Sequence, residues 1–193
     1  MKPVIVSFHT GEDRYVKDAK RLVESAHKFG YEIHLEVIES DLNWVKSASL
    51  KSSYIKSMID KIGPKPVLWI DSDGEIRKTL EVLHDPHFNL GLTWIKGAGH
   101  FQGGTVYFNL GDPLAVEFLD RWVDVCREIR EDKREGNDQT VLKEIWYSMD
   151  RIPITRVLPQ GYVKVFDHGW KKGVDQVEYI RHHQASREIR KFK

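Results

Sequence analysis

A single cysteine in 193 residues excludes two kinds of architecture at once. Cys126 has no partner for an internal disulfide, and no cysteine-rich zinc site can be assembled around it. Set among apolar residues of a predicted helix, it reads as a buried structural thiol. Net charge is also scarce. Thirty basic residues against 29 acidic give +1, so no overall field favours nucleic acid, and an anionic partner must be met by a local site. No apolar run approaches membrane-spanning length, and Met1-Lys2-Pro3 leads into too few apolar residues for a signal peptide. A soluble, cytoplasmic protein is the expectation. Internal repeats, heptads and low-complexity segments are missing too, and no glycine-rich stretch ends in the Gly-Lys-Ser/Thr of a Walker loop. What is present, 40% hydrophobic and 31% charged residues, suits one sizeable core, so residues 1–193 are expected to form a single domain.

The most informative stretch is Lys65–Ile76, KPVLWIDSDGEI. Val67–Ile70 is a short apolar run bounded by Pro and Gly, which predicts a buried strand. In an extended backbone residues i and i+2 point the same way, so Asp71 and Asp73 can aim two carboxylates at one point beyond the strand end. Hard cations such as Mg²⁺ or Mn²⁺ take oxygen ligands of this kind and leave other positions to water and phosphates. The plainer account is a polar Asp-Ser-Asp-Gly turn before a capped helix.

Around this stretch the chain alternates. Val4–Phe8 predicts a strand, and Glu12/Asp13 begin a helix with Val16, Ala19, Leu22, Val23, Ala26 and Phe29 at the helical period, stopped by Gly30. Tyr31–Ile38 predicts a second strand. Glu39–Ser47 reads as a loop, followed by a helix carrying Leu50, Tyr54, Ile55, Met58, Ile59 and Ile62 and ended by Gly63-Pro64. Strand, helix, strand, helix, strand is a parallel, Rossmann-like order. Next come a short helix over Ile76–His84, a strand over Phe88–Ile95, a glycine-bearing loop over Lys96–Gly104 and a strand over Thr105–Asn109. Asp112-Pro113 open a long helix with Ala115, Phe118, Leu119, Trp122, Cys126 and Ile129 inward, grading into a solvated end at Arg130–Glu135. Gly136-Asn137-Asp138-Gln139 heads another helix, for which Asn137 or Asp138 is a sound N-cap. Short strands follow at Ile152–Leu158, Tyr162–Phe166 and Val174–Ile180. The basic tail RHHQASREIRKFK holds His182 and His183. His84 and His87 read as surface residues.

Taken in order, these elements resemble the metal-dependent GT-A glycosyltransferases. The resemblance is nearest to the nucleotide-diphosphosugar transferases related to the glycogenin and bacterial galactosyltransferase family, and it covers nearly the whole chain. It rests on hydrophobic-Asp-x-Asp, the glycine-bearing FQGGTVYFN, the later Asp-Gln and a C-terminal histidine. It implies an α/β fold, a single-domain GT-A (Rossmann-like) mixed sheet flanked by helices. Residues 1–75 would form the nucleotide-binding half, and 76–193 the acceptor-side half and basic tail. By resemblance Asp73 is a direct Mn²⁺ (or Mg²⁺) ligand, and Asp71 meets both metal and donor ribose. A histidine completes the set, His182 with Ala185 or His183 with Ser186 in the family's spacing. Ser7, Phe8, His9 and Thr10 would meet the donor base, with Tyr15 stacking. Lys51, Ser72, Gln102, Gly103, Gly104 and Arg187 would line the donor site, and Asp138 and Gln139 would lie under the donor sugar. Gln102 departs from the usual Asn, and the tail lacks the Lys-Pro-Trp that often follows the histidine.

The chemistry fits these residue types. Cleaving a glycosyl–phosphate bond builds negative charge on the departing nucleoside diphosphate, which a divalent cation stabilises, with Arg187, Arg190 or Lys191 as supplements. The partner implied is a nucleoside-diphosphate sugar, UDP-sugar first, and the outcome retention. The acceptor stays open among glycan, lipid-linked sugar, protein and modified nucleic acid. Two rival readings are a haloacid-dehalogenase-like phosphatase using Asp71 and Asp73, and a nucleotide-sugar-binding module without turnover. The phosphatase motif belongs on a first strand and continues with Thr or Val, whereas Glu75 follows Gly74 here.

Overall fold

Alternation of apolar side chains along four strands builds the centre of the molecule. A computed structural model describes residues 1–40, 42–95, 99–165 and 177–183. The chain runs β1 (Val4–His9), α1 (Asp13–Lys28), β2 (Ile33–Val37), α2 (Trp44–Ala48), α3 (Leu50–Ile62) and β3 (Val67–Ile70). It continues through β4 (Gly74–Ile76), β5 (Leu90–Ile95), β6 (His100–Phe108), α4 (Pro113–Arg130), α5 (Asp138–Ser148), β7 (Thr155–Leu158), β8 (Lys164–Val165) and β9 (Ile180–His182). The main sheet has the order β2-β1-β3-β6-β5-β7, and a small second sheet the order β4-β9-β8. β1 pairs in parallel with β2 and β3, as the strand–helix alternation predicts, and β6 then runs antiparallel to β3 and β5.

The pleat sorts side chains into two layers. Val6, Phe8, Val67, Trp69, Val106 and Phe108 face one core, shared with α3, α4 and α5. Ile5, Leu68, Ile70 and Tyr107 face the other, shared with Leu22 and Ala26 of α1. All four β3 residues are buried because both faces are covered. Ala115, Phe118, Leu119, Trp122, Cys126 and Ile129 of α4 point inward as their spacing predicts. Val16 does not: it is exposed, to the side of the buried stripe of α1 that runs through Ala19, Leu22 and Ala26.

Several local expectations need correction. The loop expected over Glu39–Ser47 gives way at Trp44 to α2, a five-residue helix capped by Asn43 and too short to show a period. Ile76–His84 is not one helix. Gly74–Ile76 is a strand paired with distant β9, and only Glu81–His84 forms a 3₁₀ turn. The glycine loop shrinks, because Gly103 and Gly104 lie inside β6. Tyr162 sits in a 3₁₀ turn over Gln160–Val163 rather than a strand. His84 is half-buried against the Tyr31 hydroxyl at 3.0 Å, so only His87 is a surface histidine of that pair. Arg130 belongs to the packing as well as the helix end, donating to the Ser49 carbonyl at 2.6 Å. Arg187, with Ala185, Ser186, Arg190 and Lys191, lies outside the described residues, as do residues 174–176 of the last predicted strand.

Cys126 is fully buried, and burial pushes its thiol up to about 11. It should resist a thiol reagent at pH 8 in the native protein and give one labelled thiol per chain in denaturant. Labelling at the rate of an exposed thiol without denaturant would contradict this packing.

Candidate active site

The site forms where β3 stops. The Asp71 N–H donates to the Gly104 carbonyl at 2.9 Å, and the Gly74 N–H donates back to the Asp71 carbonyl at 2.8 Å. A tight turn, rather than a continued strand, therefore brings Asp71 and Asp73 to one side. β9 lies antiparallel to β4 with His182 opposite Gly74, so the histidine arrives beside that turn. Ligand atoms of Asp71, Asp73 and His182 all lie within 4.8 Å of one another.

Hydrogen bonds fix the tautomer of His182. The Thr105 hydroxyl donates to the Tyr162 carbonyl at 2.8 Å, so toward His182 Nε2, 3.3 Å away, its oxygen can only accept. Nε2 then carries hydrogen, and Nδ1 faces Asp73 Oδ1 at 3.1 Å. Burial disfavours a charged imidazole here, but Asp73 and then Asp71 outweigh it and raise the His182 pKa above its ordinary value. A divalent cation would take the place of that proton between imidazole and carboxylate. Two carboxylates and one oriented imidazole nitrogen are a fitting donor set for Mn²⁺ or Mg²⁺.

Beside this cluster Lys51 is buried with all three of its N–H groups engaged. They reach Asp138 Oδ2 at 2.6 Å, Asp71 Oδ1 at 2.9 Å and the Gly103 carbonyl at 2.9 Å. Burial opposes the ammonium charge, yet Asp138 and Asp71 outweigh it and hold its pKa above the usual lysine value. Trp69 Nε1 donates to the same Asp71 Oδ1 at 2.7 Å. One oxygen of Asp71 is thus anchored twice. The other lies on the His182 side, since a Cβ at Gly104 would sit 3.4 Å from Asp71 Oδ2 and 3.1 Å from His182 Cε1. A Cβ at Gly103 would be 2.8 Å from Asp138 Oδ2, which is why this part of β6 is Gly-Gly. Asp138 is held at the start of α5 by a capping box between Asn137 and Thr140.

No family model and no curated protein matches the sequence. Solved structures do resemble the chain. A glycosyltransferase involved in the glycosylation of the major capsid of PBCV-1 superimposes with a TM-score of 0.72 at 18% identity, covering 100% of both chains. The chain has the GT-A glycosyltransferase fold. GlyE of Streptococcus pneumoniae TIGR4 gives 0.58 at 15% identity over 94% of this chain but only 55% of GlyE. The galactosyltransferase LgtC, in complex with donor and acceptor sugar analogs, gives 0.51 at 15% identity over 96% of this chain and 94% of LgtC.

In this GT-A fold a cleft of about 270 Å³ opens over the cluster, lined by Phe8, His9, Thr10, Tyr15, Lys51, Asp71, Ser72, Asp73, Asp138 and Gln139 among others. The fold therefore brings together most residues singled out from sequence. Ser7 is not among them: it is fully buried and does not line the cleft. Gln102 does not line the cleft either. His183 turns away, placing Nε2 2.9 Å from Glu75 Oε2, because successive strand residues face opposite sides. Lys51 lines the cleft and also ties Asp71 to Asp138. Sequence reasoning missed the anchors Trp69 and Thr105 and the cleft face of α2 at Trp44, Ser47 and Ala48. The period-2 relation of Trp69 to Asp71 was a usable signal. For Thr105 and α2 there was none.

Replacing Lys51 with Met should cost about 3–5 kcal/mol in urea unfolding, because it strands two carboxylates. Adding Asp138→Leu should restore part of that loss. A single-variant cost below about 1 kcal/mol would mean that the buried ion pair does not organise the site.

Proposed function

We propose that the protein is a divalent-metal-dependent glycosyltransferase acting on a nucleoside-diphosphate sugar, UDP-sugar first. The observation that carries this reading is the Asp71–Asp73–His182 cluster, whose two carboxylates line a cleft in a glycosyltransferase fold. The donor chemistry supports it: Asp71 and Asp73 set two carboxylates beside the His182 imidazole, a set that suits a divalent cation. Bound there, Mn²⁺ or Mg²⁺ would act as a Lewis acid on the donor diphosphate as negative charge develops on it.

The chain's own residues have separable tasks. Asp71 and Asp73 would hold the metal, and the Trp69 and Lys51 donors keep Asp71 turned toward it. Phe8, His9, Thr10 and Tyr15 supply the apolar and polar wall expected for a nucleoside. Gly103 keeps the floor low beside Asp138 and Gln139, where the donor sugar would rest. Asp138 is fixed by an ammonium 2.6 Å away, which suits a stationary negative charge beside an oxocarbenium-like carbon better than a general base. That favours retention of configuration. It also disfavours the phosphatase reading, since two donors on Asp71 Oδ1 suit a fixed ligand rather than a nucleophile.

A thermal-shift panel of nucleoside diphosphates and nucleotide sugars, with and without Mn²⁺, tests the reading. UDP with Mn²⁺ should stabilise the wild type by about 2.7 kcal/mol at a hundredfold excess over Kd, and Asp73→Ala should abolish the shift. Stabilisation by Mg²⁺ with beryllium fluoride, and by no nucleotide, would instead indicate a phosphatase.

A further inference from the structure

The main chain of His182 is clamped, which leaves only its ring to orient. β9 lies between β4 and β8, with His182 opposite Gly74 on one side and Val165 on the other. The next N–H, of His183, donates to the Asp73 carbonyl at 3.0 Å. Two adjacent residues of β6 then act on the ring. Gly104 leaves it room, since a Cβ there would lie 3.1 Å from His182 Cε1. Thr105, itself fully buried, sets its hydroxyl oxygen 3.3 Å from Nε2.

A neutral imidazole has one N–H to place, and here two neighbours compete for it. The Asp73 carboxylate, 3.1 Å from Nδ1, is the stronger acceptor and on its own would draw the hydrogen onto the nitrogen that faces the carboxylate cluster. The Thr105 oxygen draws it to Nε2 instead. It can do so because its own hydrogen is engaged by the Tyr162 carbonyl at 2.8 Å, in the 3₁₀ turn before β8. We infer that Thr105 is a positioning residue that sets the choice of metal: by keeping Nδ1 free of hydrogen it gives the site a preference for Mn²⁺ over Mg²⁺. The inference rests on the metal-dependent reading above. An imidazole nitrogen adds to the affinity of a transition ion such as Mn²⁺, whereas Mg²⁺ takes oxygen ligands and keeps several waters. With the hydroxyl in place the cluster offers two carboxylates and a nitrogen. Without it the cluster offers the carboxylates alone, one of them holding the ring N–H, and the two ions are bound more nearly alike.

The test is Mn²⁺ binding to the full chain without nucleotide, followed by the fall of the free-ion EPR signal, with Mg²⁺ as competitor. Thr105→Val keeps the branched shape that suits a strand and removes the hydroxyl, and Thr105→Ser keeps the hydroxyl. Thr105→Val should weaken Mn²⁺ about tenfold or more, as the loss of an outer hydrogen bond to a ligating histidine does, and change Mg²⁺ far less. Thr105→Ser should retain most of the Mn²⁺ affinity. Equal weakening of both ions in Thr105→Val would mark a general disturbance of the site and overturn the inference. Unchanged Mn²⁺ affinity in that variant would overturn it too. ¹⁵N NMR of the histidine rings is the second readout, with His182→Gln identifying the signals among nine histidines. In the neutral, metal-free ring the hydrogen should sit on Nε2 in the wild type and on Nδ1 in Thr105→Val, and a wild type with hydrogen on Nδ1 would contradict the assignment. Failure of the metal reading itself would show separately, as a wild type that binds no Mn²⁺, and would remove this inference with it.

Discussion

A buried ammonium between two carboxylates is the constraint on which the site depends. Asp71 and Asp138 come from the end of β3 and the start of α5, and Lys51 of α3 draws both to itself at 2.9 and 2.6 Å. Burying such charges costs several kcal/mol per ion unless each is paired and hydrogen-bonded. The surroundings answer that demand. Gly103 lends its carbonyl and lacks a side chain that would press on Asp138, Trp69 adds a second donor to Asp71, and Asn137 caps the helix that presents Asp138. A fixed charge pattern in a dry place is the condition under which electrostatic catalysis is effective.

The rest of the architecture follows from delivering those groups to one point. The parallel β2-β1-β3 half places the ends of β1 and β3 along one edge, where open α/β sheets bind ligands. Antiparallel β6 then returns through the middle of the sheet, with Gly103 beside Asp138 and Gly104 beside Asp71 and His182. The small β4-β9-β8 sheet has the separate task of carrying His182 to the Asp turn, and Thr105 of β6 fixes the tautomer it arrives in. Asp71 and Asp73 thus follow a strand of the main sheet and His182 comes from the small one, whose Ile76 and Ile180 share a core with Ile5, Leu68 and Ile70.

Much of this was legible in the sequence, for physical reasons that differ by element. Long periodic helices announce themselves, so the six inward residues of α4 could be named in advance. The run Val67–Ile70 was legible because both its faces are buried. Asp71 and Asp73 stood out because two carboxylates spaced i, i+2 after such a strand can meet at one point, although a polar turn would account for them as well. What stayed hidden depends on contacts between residues far apart in the chain. Gly74–Ile76 is a strand only because β9 pairs with it, and the choice between His182 and His183 turns on which side of β9 faces Asp73. Lys51 stood out only through the family resemblance, and its contacts with Asp71, Asp138 and Gly103 belong to tertiary structure alone. The one-turn helix α2 leaves too short a pattern for any period to register.

In the function proposed, an oriented Asp71–Asp73–His182 set would hold a divalent cation against a nucleoside diphosphate. The most direct measurement is an anomalous difference map at the manganese edge from crystals grown with Mn²⁺ and UDP. The account predicts one manganese peak bonded to Asp71, Asp73 and His182 Nδ1, with the UDP phosphates completing its coordination. UDP bound in the cleft without manganese at that cluster, or manganese bound elsewhere, would contradict it.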